Sequence, residues 1–96
     1  MPRAIVLHHS DNVGTLIDRG SAGESCTLQG ENSGSVQLVE DVPFGHKVCV
    51  RDTPLGGEIL KYGQVIGRAS DSLKAGQHVH IHNVESGRGR GDQVKR

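Results

Sequence analysis

The chain of 96 residues contains 14 glycines and 33% hydrophobic residues, which is enough for one small domain with a modest apolar core. Its single Phe and single Tyr cannot form a platform that stacks nucleic-acid bases. Eleven basic residues balance eleven acidic ones, so no electrostatic argument favours binding to nucleic acid or to an anionic membrane. No apolar run approaches the length of a membrane span and the N-terminus lacks the pattern of a signal peptide, so we expect a cytoplasmic protein.

Along the chain, apolar residues alternate with polar ones or form short runs, as is typical of strands. Segments rich in β-branched residues and bounded by Gly, Pro, Asp or Asn predict strands at 4–7, 36–39, 47–50 and 78–82. The segments 15–18 and 58–62 fit either a strand or one turn of helix, and 31–35 fits a hairpin loop. Because Gly or Pro interrupts nearly every longer stretch, the sequence predicts an all-β domain without long helices.

A turn motif occurs three times, with an Asp followed five positions later by Gly and then by Glu or Gln. The copies are 18–24, 52–58 and 71–77. We interpret each copy as a turn in which the Asp accepts a hydrogen bond from the local backbone and the Gly adopts a positive φ. The uneven spacing excludes a solenoid and indicates one type of turn reused within a single domain.

Two further features concern the cysteines and the C-terminus. Cys26 and Cys49 lack the spacing of a zinc knuckle or a disulfide framework, so we expect both to be small buried residues. Residues 85–96 are rich in Gly and Arg, and we expect them to form a tail after a domain of residues 1–84. The tail could equally be an arm that becomes ordered on a partner.

Three of the six histidines alternate near the end of the domain, at His78, His80 and His82. On a strand, such side chains share a face, and successive ones lie about 7 Å apart at Cα. Two imidazoles can therefore converge on one metal ion, whereas the third needs a bend to reach it. The alternative is an exposed polar face of an amphipathic strand, with Val79 and Ile81 directed towards the core.

A second candidate is the turn 43–47, in which an imidazole adjoins an ammonium group. His46 can act as a base or as a metal ligand near neutral pH, and Lys47 can pair with a carboxylate. The alternative is a purely structural turn, in which Gly45 supports the backbone and Phe44 anchors the loop to the core.

The segment Asp11-Asn12-Val13 is followed in order by the segments 41–47, 61–67 and 75–83. Together they resemble the SAF domain of the altronate and galactarate dehydratase family, over nearly the whole chain to residue 83. The small subunit of sulfolactate sulfo-lyase is similar to almost the same degree. The resemblance implies a β-clip, related to antifreeze-like folds, in which short strands form a pseudo-symmetric domain.

The resemblance also implies a function as the small subunit of a two-chain lyase that is inactive without a larger catalytic chain. The expected reaction is β-elimination of water from a sugar acid, or of sulfite from sulfolactate, with a divalent metal such as Fe²⁺. The implied catalytic residues are His46 and Lys47, the implied metal ligands are His78 and His80, and the implied substrate contacts are Lys61, His82 and Asn83. A different class stays open, in which the domain is a non-catalytic cap over a sugar-acid site owned entirely by the partner chain.

Overall fold

The computed structural model describes residues 1–80 and 82–86, and all regular secondary structure in this part of the chain is β. The strands are β1 (Arg3–Val6), β2 (Val13–Leu16), β3 (Ser25–Gly30), β4 (Gly34–Gln37), β5 (Lys47–Cys49), β6 (Glu58–Lys61), β7 (Gln64–Ala69), β8 (His78–Val79) and β9 (Val84–Ser86). They form a six-stranded sheet in the order β4-β3-β1-β2-β5-β8 and a three-stranded sheet in the order β6-β7-β9. The all-β prediction is confirmed. Among the described residues, no helix could cross a membrane.

The strand predictions differ from the structure at several ends. The ambiguous segments 15–18 and 58–62 contribute to strands, and β4 begins at Gly34, within the predicted loop. β8 ends at Val79, so the strand predicted over 78–82 is too long. Val79 is buried, as the amphipathic interpretation requires, whereas Ile81 lies outside the described residues. The expected domain boundary after residue 84 falls inside β9, and the tail residues 87–96 lie outside the described part.

The core consists of two apolar clusters, one for each half of the domain. The first contains Ala4, Val6, Leu16, Cys26, Leu28, Leu38, Val42 and Val48. The second contains Val13, Cys49, Ile59, Ala69, Leu73 and Val79. Both cysteines are buried and free, as predicted, and burial raises the pKa of each thiol. They therefore serve as small apolar side chains.

Four similar turns connect the strands of the described residues. In each turn the N–H of the fourth residue donates to the carbonyl of the first, at 2.8–3.1 Å. The third residue is a glycine with a positive φ, which a residue with a Cβ adopts only at a cost. The turns are 21–24, 43–46, 54–57 and 74–77. The second of them was predicted as a turn but not as a copy of the repeated motif, because it lacks the Asp spacing of the other three.

The four turns form two pairs that use the same hydrogen bonds. The residues just before the paired turns form isolated antiparallel bridges, Gly20 with Val42 and Thr53 with Leu73. In each pair, the positive-φ glycine of one turn donates its N–H to the carbonyl of the residue four positions before the bridge residue of the other turn. Gly76, for example, donates to the carbonyl of Cys49, four positions before Thr53, at 2.7 Å. This repetition is the pseudo-symmetry that the family resemblance implies.

The role predicted for the Asp residues is correct for only one of the three turns. Asp18 pairs with Arg3 at 2.7 Å instead of bonding to its own turn. Asp52 accepts a hydrogen bond at 2.8 Å from the backbone of the partner turn 74–77. Only Asp71 accepts one locally, from the next residue at 3.2 Å.

The glycine alignment also needs one correction. In the second copy of the motif the positive φ belongs to Gly56, not to Gly57. The turn therefore begins one residue earlier relative to its Asp than in the other two copies.

Candidate metal centre

The turn 43–46 lies beside the end of β8, because both adjoin β5. β5 and β8 run antiparallel, with Lys47 opposite Val79 and Val48 opposite His78. His46 is the last residue of its turn and directly precedes β5. This arrangement brings together two histidine-containing segments that are more than thirty residues apart.

Three imidazoles converge at this point. His46 Nδ1 lies 2.8 Å from His78 Nε2, and the ring centroids of His46 and His80 are 4.2 Å apart. One potential ligand atom from each of the three residues lies within 4.8 Å of the others. Among the described residues, this is the one set of three or more His, Cys, Asp or Glu side chains that meets the geometry of a metal site. We call His46, His78 and His80 the histidine group.

His80 reaches His46 because the chain leaves the strand after Val79. The buried side chain of Asn83 holds this bend, donating to the carbonyl of His78 at 2.8 Å and accepting from the N–H of His80 at 2.9 Å. The backbone N–H of Asn83 also donates to the carbonyl of His80, at 3.1 Å. Both ends of the Asn83 amide are therefore engaged within the chain, which places this residue behind the site as a support.

His82 borders the histidine group without belonging to it. Its exposed ring lies 5.3 Å from that of His78, at an interplanar angle of 50°. Of the three alternating histidines, the structure thus brings two to His46 and leaves the third beside them.

The environment lowers the pKa of two histidines in the group. For His78 the main cause is burial, followed by the neighbouring charge of His46, while Glu40 acts in the opposite direction. For His80 desolvation again comes first, followed by His46 and Lys47. Both rings therefore favour the neutral form, which offers a lone pair to a metal, and an all-imidazole set suits Zn²⁺, Fe²⁺, Ni²⁺ or Cu²⁺. The residues present fit such an ion.

Glu40 is a contributor that the sequence interpretation missed. Its carboxylate accepts a hydrogen bond from the backbone N–H of His78 at 3.0 Å. Since Glu40 lies 38 residues before His78, no local pattern connects the two. The contact adds a negative charge at the edge of an otherwise cationic site.

Lys47 directly follows His46, and the charge of Lys61 acts on Lys47, so we call Lys47 and Lys61 the lysine pair. Burial lowers the pKa of Lys47, and the charge of Lys61 lowers it further. The charge of Lys47 in turn lowers the pKa of His80. The ion pairs of the described residues involve only arginines, so both ammonium groups are left to bind an external anion.

Asp11 and Asn12 hold the backbone before and after Lys61. The buried Asn12 donates to the carbonyl of Glu58 at 2.8 Å and accepts from the N–H of Leu60 at the same distance. Asp11 is buried as well and accepts hydrogen bonds from the backbone just after Lys61. The sequence indicated these residues only through the family resemblance, which gave them no role.

Phe44 does not anchor the turn. Its side chain is 70% exposed, so the structural alternative that gave it a place in the core is wrong. Gly45, in contrast, does support the turn, since it has a positive φ.

Comparison with known proteins places this geometry in a family. The sequence model of the altronate/galactarate dehydratase SAF domain matches residues 2–87. A (2R)-sulfolactate sulfo-lyase subunit alpha from Chromohalobacter salexigens is 33% identical over 88 residues, which cover 86% of this chain and 94% of that protein. An altronate dehydratase from Bacillus subtilis is 31% identical over 86 residues, which cover 90% of this chain and 17% of the enzyme.

A third relative belongs to the same set of acid dehydratases. The galactarate dehydratase (L-threo-forming) of Escherichia coli is 36% identical over 76 residues, or 78% of this chain and 14% of the enzyme. The chain thus spans about a sixth of the length of these dehydratases, but nearly all of the sulfo-lyase subunit. From the family match and these identities, the chain belongs to the altronate/galactarate dehydratase SAF domain family.

Proposed function

We propose that this chain is the small subunit of a lyase that eliminates water or sulfite from a hydroxy acid and that acts with a larger catalytic chain. Family membership supports the lyase assignment. The observation that carries the proposal is the convergence of His46, His78 and His80 beside Lys47, whose pKa the charge of Lys61 lowers. Imidazole ligands next to cationic side chains suit a metal-assisted reaction of a carboxylate substrate.

The histidine group would hold a divalent metal, Fe²⁺ on the family resemblance. When bound, the metal supplies positive charge that stabilises the anion formed as the proton α to the carboxylate leaves. The lowered pKa values of His78 and His80 favour metal binding, because they favour the neutral form of both rings. His46 lies at hydrogen-bond distance from His78, so one of these two rings carries the shared proton until both nitrogens are needed as ligands.

The lysine pair would bind and orient the substrate carboxylate. Burial and the charge of Lys61 both disfavour the ammonium form of Lys47, and the negative charge of an incoming carboxylate favours it. His82, exposed at the edge of the histidine group, is placed to contact the rest of a sugar acid or sulfo acid. Asn83 would act indirectly, by holding the bend that carries His80.

The second candidate function is a non-catalytic cap that closes over a site owned by the larger chain. A cap needs no convergent side chains, and its histidines would be expected to point apart into solvent. The ring separation of 4.2 Å between His46 and His80 favours a role in the site itself.

The proposal is tested by isolating the complex and assaying its chemistry. The tagged chain is purified from its native extract, the larger chain that accompanies it is identified by mass spectrometry, and both are produced together. The complex is then assayed with altronate, galactarate and sulfolactate for release of water or sulfite and formation of the keto acid. Turnover of one of these acids supports the proposal, whereas a stable complex inert towards all three contradicts it.

A further inference from the structure

The hairpin that follows Lys61 ends in an unusual two-residue turn. Tyr62 and Gly63 connect β6 to β7, and their φ values of 63° and 73° are both positive. Such turns ordinarily use Asn, Asp or Gly, because a Cβ disfavours the left-handed region. Tyr62 is the one residue other than glycine with a positive φ in the described part of the chain. A large aromatic residue is thus held where a small one would fold more easily.

This strained turn is supported by a buried carboxylate from a distant segment. Asp11, with none of its surface exposed, accepts hydrogen bonds from the N–H groups of Tyr62 and Gly63, both at 2.8 Å. The ring of His8 lies against Gly63, so closely that a Cβ there would meet it at 3.0 Å. The turn is therefore fixed to the body of the domain rather than left as a free loop.

The support holds an apolar surface that points away from the core. Tyr62 is 68% exposed, and Val65 and Ile66 on the next strand are 47% and 39% exposed. The register shifts between Ile59 and Leu60, and this bulge lets two successive apolar residues of β7 both reach the surface. We call Tyr62, Val65 and Ile66 the docking tip. Aromatic residues in such positions are over-represented among the energetic centres of protein interfaces.

We propose that the docking tip is a preformed contact for the larger chain of the lyase, an inference that rests on the proposed function. In the B. subtilis and E. coli dehydratases the matching region is 17% and 14% of the polypeptide, so most of each enzyme lies outside it. In the sulfo-lyase subunit the match covers 94% of the chain, so the part that corresponds to the rest of a dehydratase has to be supplied by another polypeptide. A separate larger chain has to be held by a contact surface on this domain. In a single polypeptide, the peptide chain itself connects the two parts, and such a surface is not needed.

The position of the docking tip favours this partner over an unrelated one. Tyr62 directly follows Lys61, whose charge acts on Lys47, the residue after His46. A chain seated on the tip would therefore lie next to the site and could cover it. This placement would exclude water from the lysine pair.

The test measures binding of tip variants to the purified larger chain. Tyr62→Asn removes the ring and suits the left-handed turn, so the variant is expected to fold at least as well as the parent chain. Ile66→Thr keeps a β-branched residue in β7 while removing apolar surface. The matched control is Leu55→Asn, which removes a side chain of the same exposure, 67%, from another turn. Each variant is titrated by biolayer interferometry against the larger chain.

We expect Tyr62→Asn and Ile66→Thr each to raise Kd by about ten-fold or more, and Leu55→Asn to change it by less than about two-fold. Unchanged Kd for both tip variants, or failure of the wild-type chains to associate, would overturn the proposal. So would self-association of the wild-type chain that Tyr62→Asn abolishes, since a second copy would then occupy the tip. A complex that depends on the tip but turns over no hydroxy acid would leave the docking proposal standing and overturn the proposed function.

Discussion

Within the histidine group, His46 lowers the pKa of the other two imidazoles even without a ligand. Burial and the charge of His46 both oppose a proton on His78, and desolvation together with His46 opposes one on His80. These effects favour the neutral form of each ring, which can bind a metal, over the protonated form. Metal binding and proton binding compete at the same atoms.

Metal binding should depend on His80. Replacing this exposed residue by Gln removes a ligand without disturbing the core, so we expect affinity for Co²⁺ to fall by about 100-fold or more, in line with the tight coupling of ligand sets to metal affinity. The visible absorption of Co²⁺ titrated into the isolated chain measures the loss. His9→Gln is the control, since His9 is also an exposed histidine and stacks only on His8. Equal Co²⁺ affinity for the two variants would exclude His80 as a ligand.

Stability should fall in mild acid because of His78. Its pKa in the folded state is below the ordinary value of 6.5, so the unfolded chain binds the proton more readily. The contribution to stability is complete above 6.5 and is lost as the pH falls from there through the lower, folded-state pKa. We expect the metal-free Tm to drop over this interval, and to drop less in His78→Gln. A wild-type slope in His78→Gln would refute the assignment.

Part of this site could be predicted from the residues alone. The alternation of His78 and His80 indicated that two imidazoles could meet, and the turn at His46 was a separate candidate. What local patterns could not show is that the strand ends after Val79 and that Asn83 holds the bend, because these depend on tertiary hydrogen bonds. The contact of Glu40 with His78 could not be predicted for the same reason.

At the scale of elements, paired turns define the domain more than long strands do. Each turn closes on itself and also bonds to its partner, so a small chain with few apolar residues gains a dense backbone network. Two of the resulting elements, β5 and β8, are short, yet they fix the position of the histidine group.

The glycines of equivalent turns should differ in their tolerance of alanine. A Cβ at Gly76 would overlap the carbonyl oxygen of Gln37, whereas a Cβ at Gly23 would meet nothing within 4 Å. Both have a positive φ, so the backbone cost of roughly 1 kcal/mol is common to the two. We expect Gly76→Ala to be less stable than Gly23→Ala by about 2 kcal/mol, measured by urea unfolding. Equal losses would show that the packing at Gly76 relaxes freely.

The element that carries Lys61 should depend on Asn12. Asn12→Ala removes hydrogen bonds to Thr53, Glu58 and Leu60 in the interior. Since each buried group left unpaired costs about 1 to 3 kcal/mol, we expect a loss of roughly 2 to 4 kcal/mol in the free energy of unfolding.

The matched control for this variant is Asn32→Ala. The Asn32 side chain bonds only to the next residue in an exposed loop, so its loss should be within about 0.5 kcal/mol. A loss in Asn12→Ala no larger than in this control would contradict the role given to Asn12.

Strand prediction succeeded where the pattern was local and failed where it was not. β1 and β5 have runs of β-branched residues, which identified them directly. β3 offers only Cys26 and Leu28 on its buried face and ends in Gly30, so its parallel pairing with β1 was not visible in the sequence. The turn at 43–46 was predicted but not grouped with the other three, because the feature that all four share is the glycine and not an Asp.

At the scale of the whole molecule, a net charge of zero coexists with a local concentration of basic side chains. The formal net charge is zero, yet four histidines gather around Lys47, with Glu40 as a nearby acid. Lys61, whose charge acts on Lys47, lies on the hairpin that carries the docking tip. On the proposed function, this domain would contribute cations and metal ligands to a shared site, and the larger chain would supply the rest.

The central claim is that the histidine group of this chain belongs to the lyase site. The most direct measurement is the turnover of the reconstituted complex on its hydroxy acid with wild-type, His46→Ala, His80→Ala and His9→Gln chains, at equal complex concentration and with folding checked by circular dichroism. The account predicts that His46→Ala and His80→Ala each abolish elimination while the chain stays folded and bound, and that His9→Gln retains it. Full turnover by a complex containing His46→Ala or His80→Ala would contradict it and reduce the domain to a cap.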